Sequence, residues 1–416
     1  MNFARRSVLA GLPLLAAVGS SLAKTNQIMD LQASLEKAIQ GDGVLRLPAE
    51  SFNVSALRIN GALRLEGVAG LTKLVSSDGG PLLMIEAAAN VTISGIIFDG
   101  GEVAAQNVTG LQIDGCGFTN SEASGLRLEA CSGRVTGNNF SEIAQTALFA
   151  RDSKGLEISG NHAHDIGNNG IQVWASEQAQ DGTIVCNNRV ERVTARDGGT
   201  GQNGNGINIY KAGNVIVSGN RVSDCAFSAI RNNSGSNCQI MGNSISRTGE
   251  VAIYCEFAFE GAVVSNNLIE DVAFGISITN FNEGGRLAAV ANNLVRKVKG
   301  GGSLPQTSAV GIAAEADAQV TGNVIEEAAE AGINLGWGQY CRNLSATGNT
   351  IRNCGRGIAF SVSEGAEPVM ITGNRIIGAR IASVQGMNHD EPVTGDLGLA
   401  DSAIPAGSMI AGNLVG

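Results

Sequence analysis

Apolar and polar residues alternate in short runs along most of this chain, which is the pattern of half-buried β-strands. One series of runs reads Gly or Ala, aliphatic, any residue, aliphatic. Its members are residues 170–173, 206–209, 229–232, 252–255, 275–278, 311–314, 332–335 and 357–360. A second series of alternating runs lies just before a recurring turn. Each run is predicted to be a strand with one face in the interior and the other toward solvent.

The recurring turn is a Gly-Asn or Asn-Asn pair. Most intervals between pairs are 23–27 residues, the period of a solenoid coil. The pairs lie at 137–138, 160–161, 187–188, 219–220, 242–243, 266–267, 292–293, 322–323, 348–349, 373–374 and 412–413. Three short parallel strands per coil predict an all-β right-handed parallel β-helix, because stacking satisfies the backbone groups of all but the terminal coils. The asparagines are expected to stack at one turn, tolerating left-handed dihedral angles and bonding to neighbouring turns.

The exposed N-terminal edge of such a solenoid requires a cover. Residues 28–39 carry Ile28, Leu31, Leu35, Ala38 and Ile39 at helical spacing. We therefore expect a capping helix within residues 24–43 and the β-helix over residues 44–416. Three insertions, around 176–182, 194–205 and 297–309, are expected to form loops that flank one face of the solenoid.

The first 23 residues are predicted to be an export signal. Arg5 and Arg6 precede a short apolar segment at 8–18, and Ser21-Leu22-Ala23 suits a cleavage site. The position of the arginine pair favours a twin-arginine signal over an ordinary secretory one. This predicts a periplasmic or secreted location and the twin-arginine export machinery as a partner. No transmembrane segment is expected in the mature chain, because no stretch is long and apolar enough.

Composition restricts the partners further. The chain has 416 residues, 57 glycines, 4% aromatic residues and a net charge of −10. Its length requires several domains or a repeat array. No nucleic-acid partner is expected, because an acidic chain lacks the basic surface that binds phosphates. Eight cysteines lie at different offsets within the repeats, which favours buried free thiols over stacked disulfides.

Side chains at the second and fourth positions after the glycine of each Gly-aliphatic strand are predicted to face outward. Successive coils place them in two columns. The first contains Gln172, Asn208, Arg231, Tyr254, Ser277, Ala313, Asn334 and Ala359, and the second Trp174, Tyr210, Asn233, Glu256, Thr279, Glu315, Gly336 and Ser361. Aromatic rings flanked by polar groups suit a polysaccharide. The expected substrate-binding residues are Trp174, Asn208, Tyr210, Lys211, Asn334 and Trp337, and a solenoid surface without a ligand is the alternative.

The same columns offer two sets of catalytic candidates. A glycoside hydrolase would use Glu256 and Glu315, whose backbones are about 10 Å apart at ~4.8 Å per coil. That distance is compatible with the separation of about 6.5–9.5 Å between the carboxyl groups of inverting enzymes. A lyase acting on uronic acids would use Arg231 to neutralise the carboxylate and Tyr254 to move the proton, with Lys211 assisting. Solvated charges on an exposed sheet are the alternative to both.

Metal binding has weaker support in the sequence. His162 and His164 share one face of an extended strand beside Asp165, as metal ligands can. They lie just past an Asn turn and away from the two columns, which favours a solvated turn. The segment 389–391, His-Asp-Glu, is similar. The acidic balance suits calcium, but no spaced Asp-Gly loop specifies it, so no metal site is predicted and the cofactor is left open.

The coil pattern over residues 40–416 resembles the pectin-lyase-like right-handed β-helix superfamily. The double-arginine start and four blocks resemble an uncharacterised family of twin-arginine-translocated bacterial repeat proteins. The blocks are GNVIVSGN at 213–220, EFAFEG at 256–261, NFNEGGR at 280–286 and LGWG at 335–338. This resemblance implies a periplasmic or surface location, and it assigns no catalytic residues to this chain. The superfamily implies polysaccharide lyases, hydrolases and epimerases that use this outward sheet, although the calcium-binding aspartates of pectate lyases have no counterpart here.

The sequence thus predicts an exported β-helix that binds an acidic or neutral glycan and, if it is an enzyme, cleaves or modifies it. A non-catalytic envelope or adhesion scaffold is the first alternative. The second is a periplasmic metal-delivery β-helix resembling copper-maturation proteins. Three histidines and seven methionines are few for that role.

Overall fold

Three sheets of 15 strands each wind around one axis, and each coil contributes one strand to each sheet. The computed structural model describes residues 30–399 and 402–416, so the predicted export signal at 1–23 lies outside the described residues. All neighbouring strands within a sheet are parallel except the last pair of the third sheet. The predicted right-handed parallel β-helix with three strands per coil is confirmed.

The first sheet contains Val44–Arg46, Leu63–Glu66, Val91–Ser94, Leu111–Asp114, Gly133–Thr136, Glu157–Ser159, Ile184–Cys186, Ile216–Ser218, Cys238–Met241, Glu260–Ser265, Arg286–Ala291, Ala316–Thr321, Arg342–Thr347, Met370–Thr372 and Met409–Ala411. The second contains Ser51–Val54, Thr72–Ser76, Ile96–Asp99, Gly117–Ser121, Asn139–Ile143, His162–Ile166, Arg189–Val193, Arg221–Cys225, Ser244–Thr248, Leu268–Val272, Leu294–Val298, Val324–Ala328, Thr350–Arg352, Arg375–Ile377 and Leu414–Val415. The third contains Leu57–Ile59, Leu83–Glu86, Val103–Gln106, Leu126–Glu129, Thr146–Arg151, Asn169–Gln180, Asn205–Gly213, Ile230–Asn233, Val251–Glu256, Phe274–Ile278, Val310–Ala314, Ala331–Leu335, Arg356–Ser361, Ala382–Asn388 and Glu391–Pro392.

The N-terminal end of the solenoid is covered by the α-helix Leu31–Gln40. Leu35 is fully buried, and the Oε1 of Gln32 accepts a hydrogen bond from the backbone N–H of Arg58, in the first strand of the third sheet. The predicted capping helix is therefore confirmed, with bounds inside the expected range 24–43. A short 3₁₀ helix, Phe281–Glu283, lies in the connection after one third-sheet strand.

The two residues of each Asn turn have different roles, although the sequence predicted both the left-handed conformation and the stacking for the asparagines. The first residue of each pair takes the left-handed conformation, as in Gly242 with φ +66° and Asn266 with φ +57°. The second residue is buried and stacks on its equivalents. Asn267, for example, donates from Nδ2 to the Oδ1 of Asn293 at 2.9 Å and to the carbonyl of Ile240 at 3.0 Å. The stacked ladder is structural.

The interior is filled by aliphatic side chains that repeat at the same place in each coil. Ile230, Ile253, Ile276 and Ile312 stack in register across four adjacent strands of the third sheet and are fully buried. All eight cysteines are unpaired and all but Cys186 are buried, in agreement with their expected role as small apolar residues. This stack fixes the register of the third sheet and therefore the position of every outward side chain on it.

Candidate functional site

The outward columns predicted for the third sheet are present in the expected register. Asn208 lies beside Arg231, and Arg231 beside Tyr254, on successive strands. In the second column Trp174 pairs with Tyr210, and the column continues through the next strand to Glu256. An outward direction does not make these side chains accessible, however. Arg231, Glu256 and Asn208 are buried.

Two of the three predicted insertions cover this part of the sheet. In the 194–205 loop, the carbonyl of Gly201 accepts a hydrogen bond from the Nη1 of Arg231. In the 176–182 insertion, Gln178 donates from Nε2 to the carbonyls of Ser234 and Ala258, both at 2.8 Å. The insertions therefore flank the predicted face, and they also close over its middle coils.

Beneath this cover lies a buried ionic network. The Nε of Arg231 is 2.5 Å from the Oε1 of Glu256, and its Nη1 is 3.8 Å from the Oε2 of Glu250. Glu256 also accepts a hydrogen bond from Asn233, and the guanidinium lies 5.4 Å from the ring centre of Tyr254. Burial raises the pKa of Tyr254 to about 12 and also raises the pKa of Glu250. Arg231, Tyr254 and Glu256 thus form a closed structural cluster instead of the accessible surface that the sequence suggested.

An aromatic platform lies next to this cluster along the solenoid. The rings of Trp174 and Tyr210 are 4.3 Å apart between centroids, and Phe149 contacts Trp174 edge-on at 6.1 Å. The Nζ of Lys211 lies 5.4 Å from the centre of the Tyr210 ring. These side chains are partly exposed. The structure therefore brings together three predicted binding residues, Trp174, Tyr210 and Lys211.

Further along the same sheet is a cavity of about 180 Å³. Its floor includes the small outward residues Ser277, Ala313 and Ala359. Ser277 and Ala313 are on adjacent coils, and Ala359 is two coils beyond Ala313. These small side chains leave a depression between the larger groups on either side. Val310, Ala313, Ala331, Ala359 and Met387 form an apolar cluster here, separate from the interior of the solenoid, with Phe274 packed against it.

Three predicted residues line this cavity. Trp337 is 39% exposed and meets the ring of His389 edge-on at 5.4 Å. Asn334 donates from Nδ2 to the carbonyl of Gly336 at 3.2 Å, and its Oδ1 has no partner among the described residues. The Oε2 of Glu315 accepts a hydrogen bond from the backbone N–H of Phe281 at 2.9 Å, and burial raises the pKa of Glu315. Glu256 does not line this cavity, so the predicted Glu256–Glu315 pair does not share one site.

Two charged residues of the cavity were missed by the sequence reasoning. Glu330 immediately precedes one third-sheet strand and Arg356 begins the next, so both lie outside the two outward columns. Arg356 donates from Nε to the Oε1 of Gln385 at 2.7 Å. Small residues at three of four successive first-column positions, Ser277, Ala313 and Ala359, were the signal that could have located the depression.

His162 and His164, for which a solvated turn was favoured over a metal site, lie on the strand His162–Ile166 of the second sheet. The rings of His162 and His164 are 4.6 Å apart. The Nε2 of His162 is 3.0 Å from Glu191, and the Nδ1 of His164 is 2.7 Å from Asp165. Within the described residues there is no group of three or more His, Cys, Asp or Glu side chains placed to hold a metal ion.

These features define a parallel β-helix protein with a platform and a cavity on one outward sheet. The model of a family described as "Periplasmic copper-binding protein (NosD)" matches residues 110–299, less than half of the chain. A probable ABC transporter binding protein NosD from Pseudomonas aeruginosa is 32% identical over 120 residues. That match covers 27% of this chain and only 26% of the relative. The middle of the chain is therefore similar to NosD proteins.

Solved structures with similar folds cover more of the chain. The surface adhesin PfbA of Streptococcus pneumoniae has a TM-score of 0.52 at 15% identity, over 92% of this chain and 95% of the adhesin. A PL6 alginate lyase in complex with a trisaccharide has a TM-score of 0.58 at 16% identity, over 79% and 83% of the two chains. At these identities the similarity shows the fold alone. No helix among the described residues is long and apolar enough to cross a membrane.

Proposed function

We propose that this protein is an exported β-helix that binds a polysaccharide on the outward face of its third sheet. The observation that carries the proposal is the cavity bounded by Trp337, Asn334 and Glu315, with its floor of small apolar residues. A sugar ring has an apolar face that suits such a floor and Trp337, and hydroxyl groups that suit the carboxylate and amide. The platform of Trp174 and Tyr210 is a second contact for the same chain of sugars.

The spacing of the two sites suits an extended ligand. Tyr210 and Glu315 occupy equivalent positions four coils apart, or about 19 Å at ~4.8 Å per coil. The ligand would pass over the insertions that cover Arg231 between the two sites. Catalysis, if present, involves Glu315, because it is the predicted carboxylate that lines the cavity. A hydrolase would use it as a general acid, since burial favours its protonated form.

The expected periplasmic or secreted location agrees with the description of the matched family as periplasmic. The twin-arginine signal, its export machinery and membership of the twin-arginine repeat family remain predictions for residues 1–23. A non-catalytic adhesion scaffold remains the first alternative. It predicts that no polysaccharide is retained by the purified protein.

Metal delivery is a second candidate function, and the match to a family described as copper-binding favours it. The residues present do not fit a resident copper ion well. Within residues 110–299, His162 and His164 are the pair that most resembles a set of metal ligands. One nitrogen of each ring is already hydrogen-bonded to a carboxylate. Glycan binding is therefore preferred as the function that the geometry supports best.

The first test is a panel of neutral and acidic polysaccharides assayed by affinity electrophoresis and for new reducing ends or unsaturated products. Trp337→Ala is expected to lower the affinity for the retained glycan about 10–30-fold, because truncating an aromatic anchor costs about 2 kcal/mol of binding free energy. Leu287→Ala, a change at a similarly exposed apolar residue on the first sheet, is the control and should retain wild-type affinity. No retention of any polysaccharide by the wild type would refute the proposal.

The second test concerns the aromatic platform. The double variant Trp174→Ala/Tyr210→Ala is expected to lower the affinity for long chains to that for short oligosaccharides, whose binding in the cavity persists. The reason is that only a long chain can reach both sites. Circular dichroism should show an intact β-helix, because both rings lie outside the interior. Equal loss for short and long ligands would contradict the two-site arrangement.

A further inference from the structure

We propose that the cavity selects a sugar bearing a negatively charged substituent, a carboxylate or a sulfate, and that Arg356 recognises this group. The inference rests on the proposed function, because it concerns the sugar bound in the same cavity. Two arginines on the outward side of the third sheet, Arg231 and Arg356, differ in their partners.

Arg231 was the residue expected to neutralise an acidic sugar, and its charge is already compensated. It lies within ion-pair distance of two carboxylates, Glu256 and Glu250, and is buried beneath Gly201. Arg356 is in the opposite situation. Its side-chain partner is the neutral amide of Gln385, and no carboxylate of the described chain lies within 4.0 Å of its guanidinium. Both Nη groups are left without a protein partner in the described structure, and the residue is only partly buried.

A guanidinium with free Nη groups at the wall of a cavity is suited to a planar anion, because two parallel N–H groups match the oxygens of a carboxylate or sulfate. The surroundings strengthen this preference. The adjoining floor of Ala331, Ala359 and Met387 is apolar, so an ion pair formed there is screened less than one in open solvent.

The charges in the cavity also give the bound sugar an orientation. Arg356 pairs with Ala331, which pairs with Val310, at the start of these strands. Glu315 lies five residues after Val310, so it is about 16 Å farther along the strand direction at ~3.3 Å per residue, and Arg356 is also two coils away. An anionic substituent at Arg356 therefore points away from Glu315, which is left to accept hydrogen bonds from hydroxyl groups.

Glu330 is the residue that opposes an anion in this cavity. It immediately precedes Ala331 and lines the same wall, without forming an ion pair with Arg356. Its carboxylate reduces the attraction for a negative substituent and has no described hydrogen-bond donor. This provides a matched pair of variants with opposite expected effects, Arg356→Gln and Glu330→Gln, each of which removes one charge and keeps a side chain of similar size.

The experiment measures binding of matched oligosaccharides by calorimetry to the whole protein. The probes are β-1,4-linked glucose and mannose hexamers and the corresponding hexamers of glucuronate and mannuronate, with a sulfated glucose hexamer as a further anion. For the wild type, at least one anionic hexamer should bind about tenfold or more tightly than its neutral counterpart. Arg356→Gln should remove that preference and leave neutral hexamers within about twofold, whereas Glu330→Gln should increase it.

The outcomes separate this inference from the proposed function. If neutral hexamers bind as tightly as anionic ones and Arg356→Gln changes neither, the inference is wrong while glycan binding stands. If none of the hexamers binds the wild type but a polysaccharide of the panel is retained, the inference fails and glycan binding stands. If the panel shows no retention either, both fail. Thermal unfolding of each variant distinguishes lost binding from lost folding, and Arg356→Lys, which keeps the charge, should preserve part of the preference if the variant Arg356→Gln proves unstable.

Discussion

Replacing Arg231 with methionine is expected to lower the free energy of unfolding by about 3–5 kcal/mol. The change leaves two carboxylates, Glu256 and Glu250, without their cation in a buried site. It also removes the hydrogen bond to Gly201 that holds the 194–205 loop over the sheet. The measurement is denaturation in guanidinium chloride followed by tryptophan fluorescence, since Trp174 lies two coils from Arg231.

The matched control is Arg247→Met. Arg247 also binds a carboxylate through Nε, that of Asp224 at 2.6 Å, but its side chain is 54% exposed. Exposed pairs contribute about 0–1 kcal/mol, so this variant should be close to the wild type. Adding Glu256→Leu to Arg231→Met should recover part of the loss, because one uncompensated charge is removed. Equal stabilities of the Arg231 and Arg247 variants would contradict the buried network.

The same experiment separates a structural from a catalytic role for Arg231. If the residue held the network together, its loss would lower stability and increase protease cleavage within 194–205. If instead it neutralised a substrate carboxylate, activity on uronate polymers would fall while stability stayed constant. The contacts of Arg231 with Glu256, Glu250 and Gly201 favour the first result.

The sequence predicted the fold well because the repeat is local. Each Gly-Asn or Asn-Asn pair marks one turn, and the alternation of the strands fixes which side chains face outward. Both columns of the third sheet were therefore placed correctly, including Arg231 beside Tyr254 and Asn233 beside Glu256. A register of this kind depends only on residues within one coil and its neighbour.

Burial on the outward face could not be predicted in the same way. Arg231 and Glu256 are covered because Gly201 and Gln178 return to the sheet from insertions, and Gln178 bonds to a carbonyl 80 residues away. Nothing in the coil period specifies where an inserted loop folds. The cavity residues Glu330 and Arg356 were missed for another reason: they lie where the strands begin, before the Gly-aliphatic alternation that indicates which side chains face outward.

The Asn ladder gives the second large effect. Asn267→Ala is expected to lower the free energy of unfolding by about 3–5 kcal/mol, because each buried polar group left unsatisfied costs about 1–3 kcal/mol. The Nδ2 of Asn267 donates hydrogen bonds to the Oδ1 of Asn293 and to the carbonyl of Ile240. Its Oδ1 accepts hydrogen bonds from the backbone N–H and the Nδ2 of Asn243. Four groups thus lose a partner inside a buried stack. Two of them keep another one, because the Oδ1 of Asn293 still accepts from the backbone N–H of Asn267 and the Nδ2 of Asn243 still donates to the carbonyl of Val217.

The adjacent residue offers the control. Asn266 is exposed and takes the left-handed conformation that Gly242 and Gly219 take in the preceding coils. Asn266→Gly should therefore change stability by less than about 1 kcal/mol, since glycine adopts this conformation readily. Hydrogen exchange of the coils on either side of Asn267 is the measurement, because a repeat array can open locally. If both variants exchange alike, the ladder is not what joins one coil to the next, and the aliphatic stack alone must supply that cohesion.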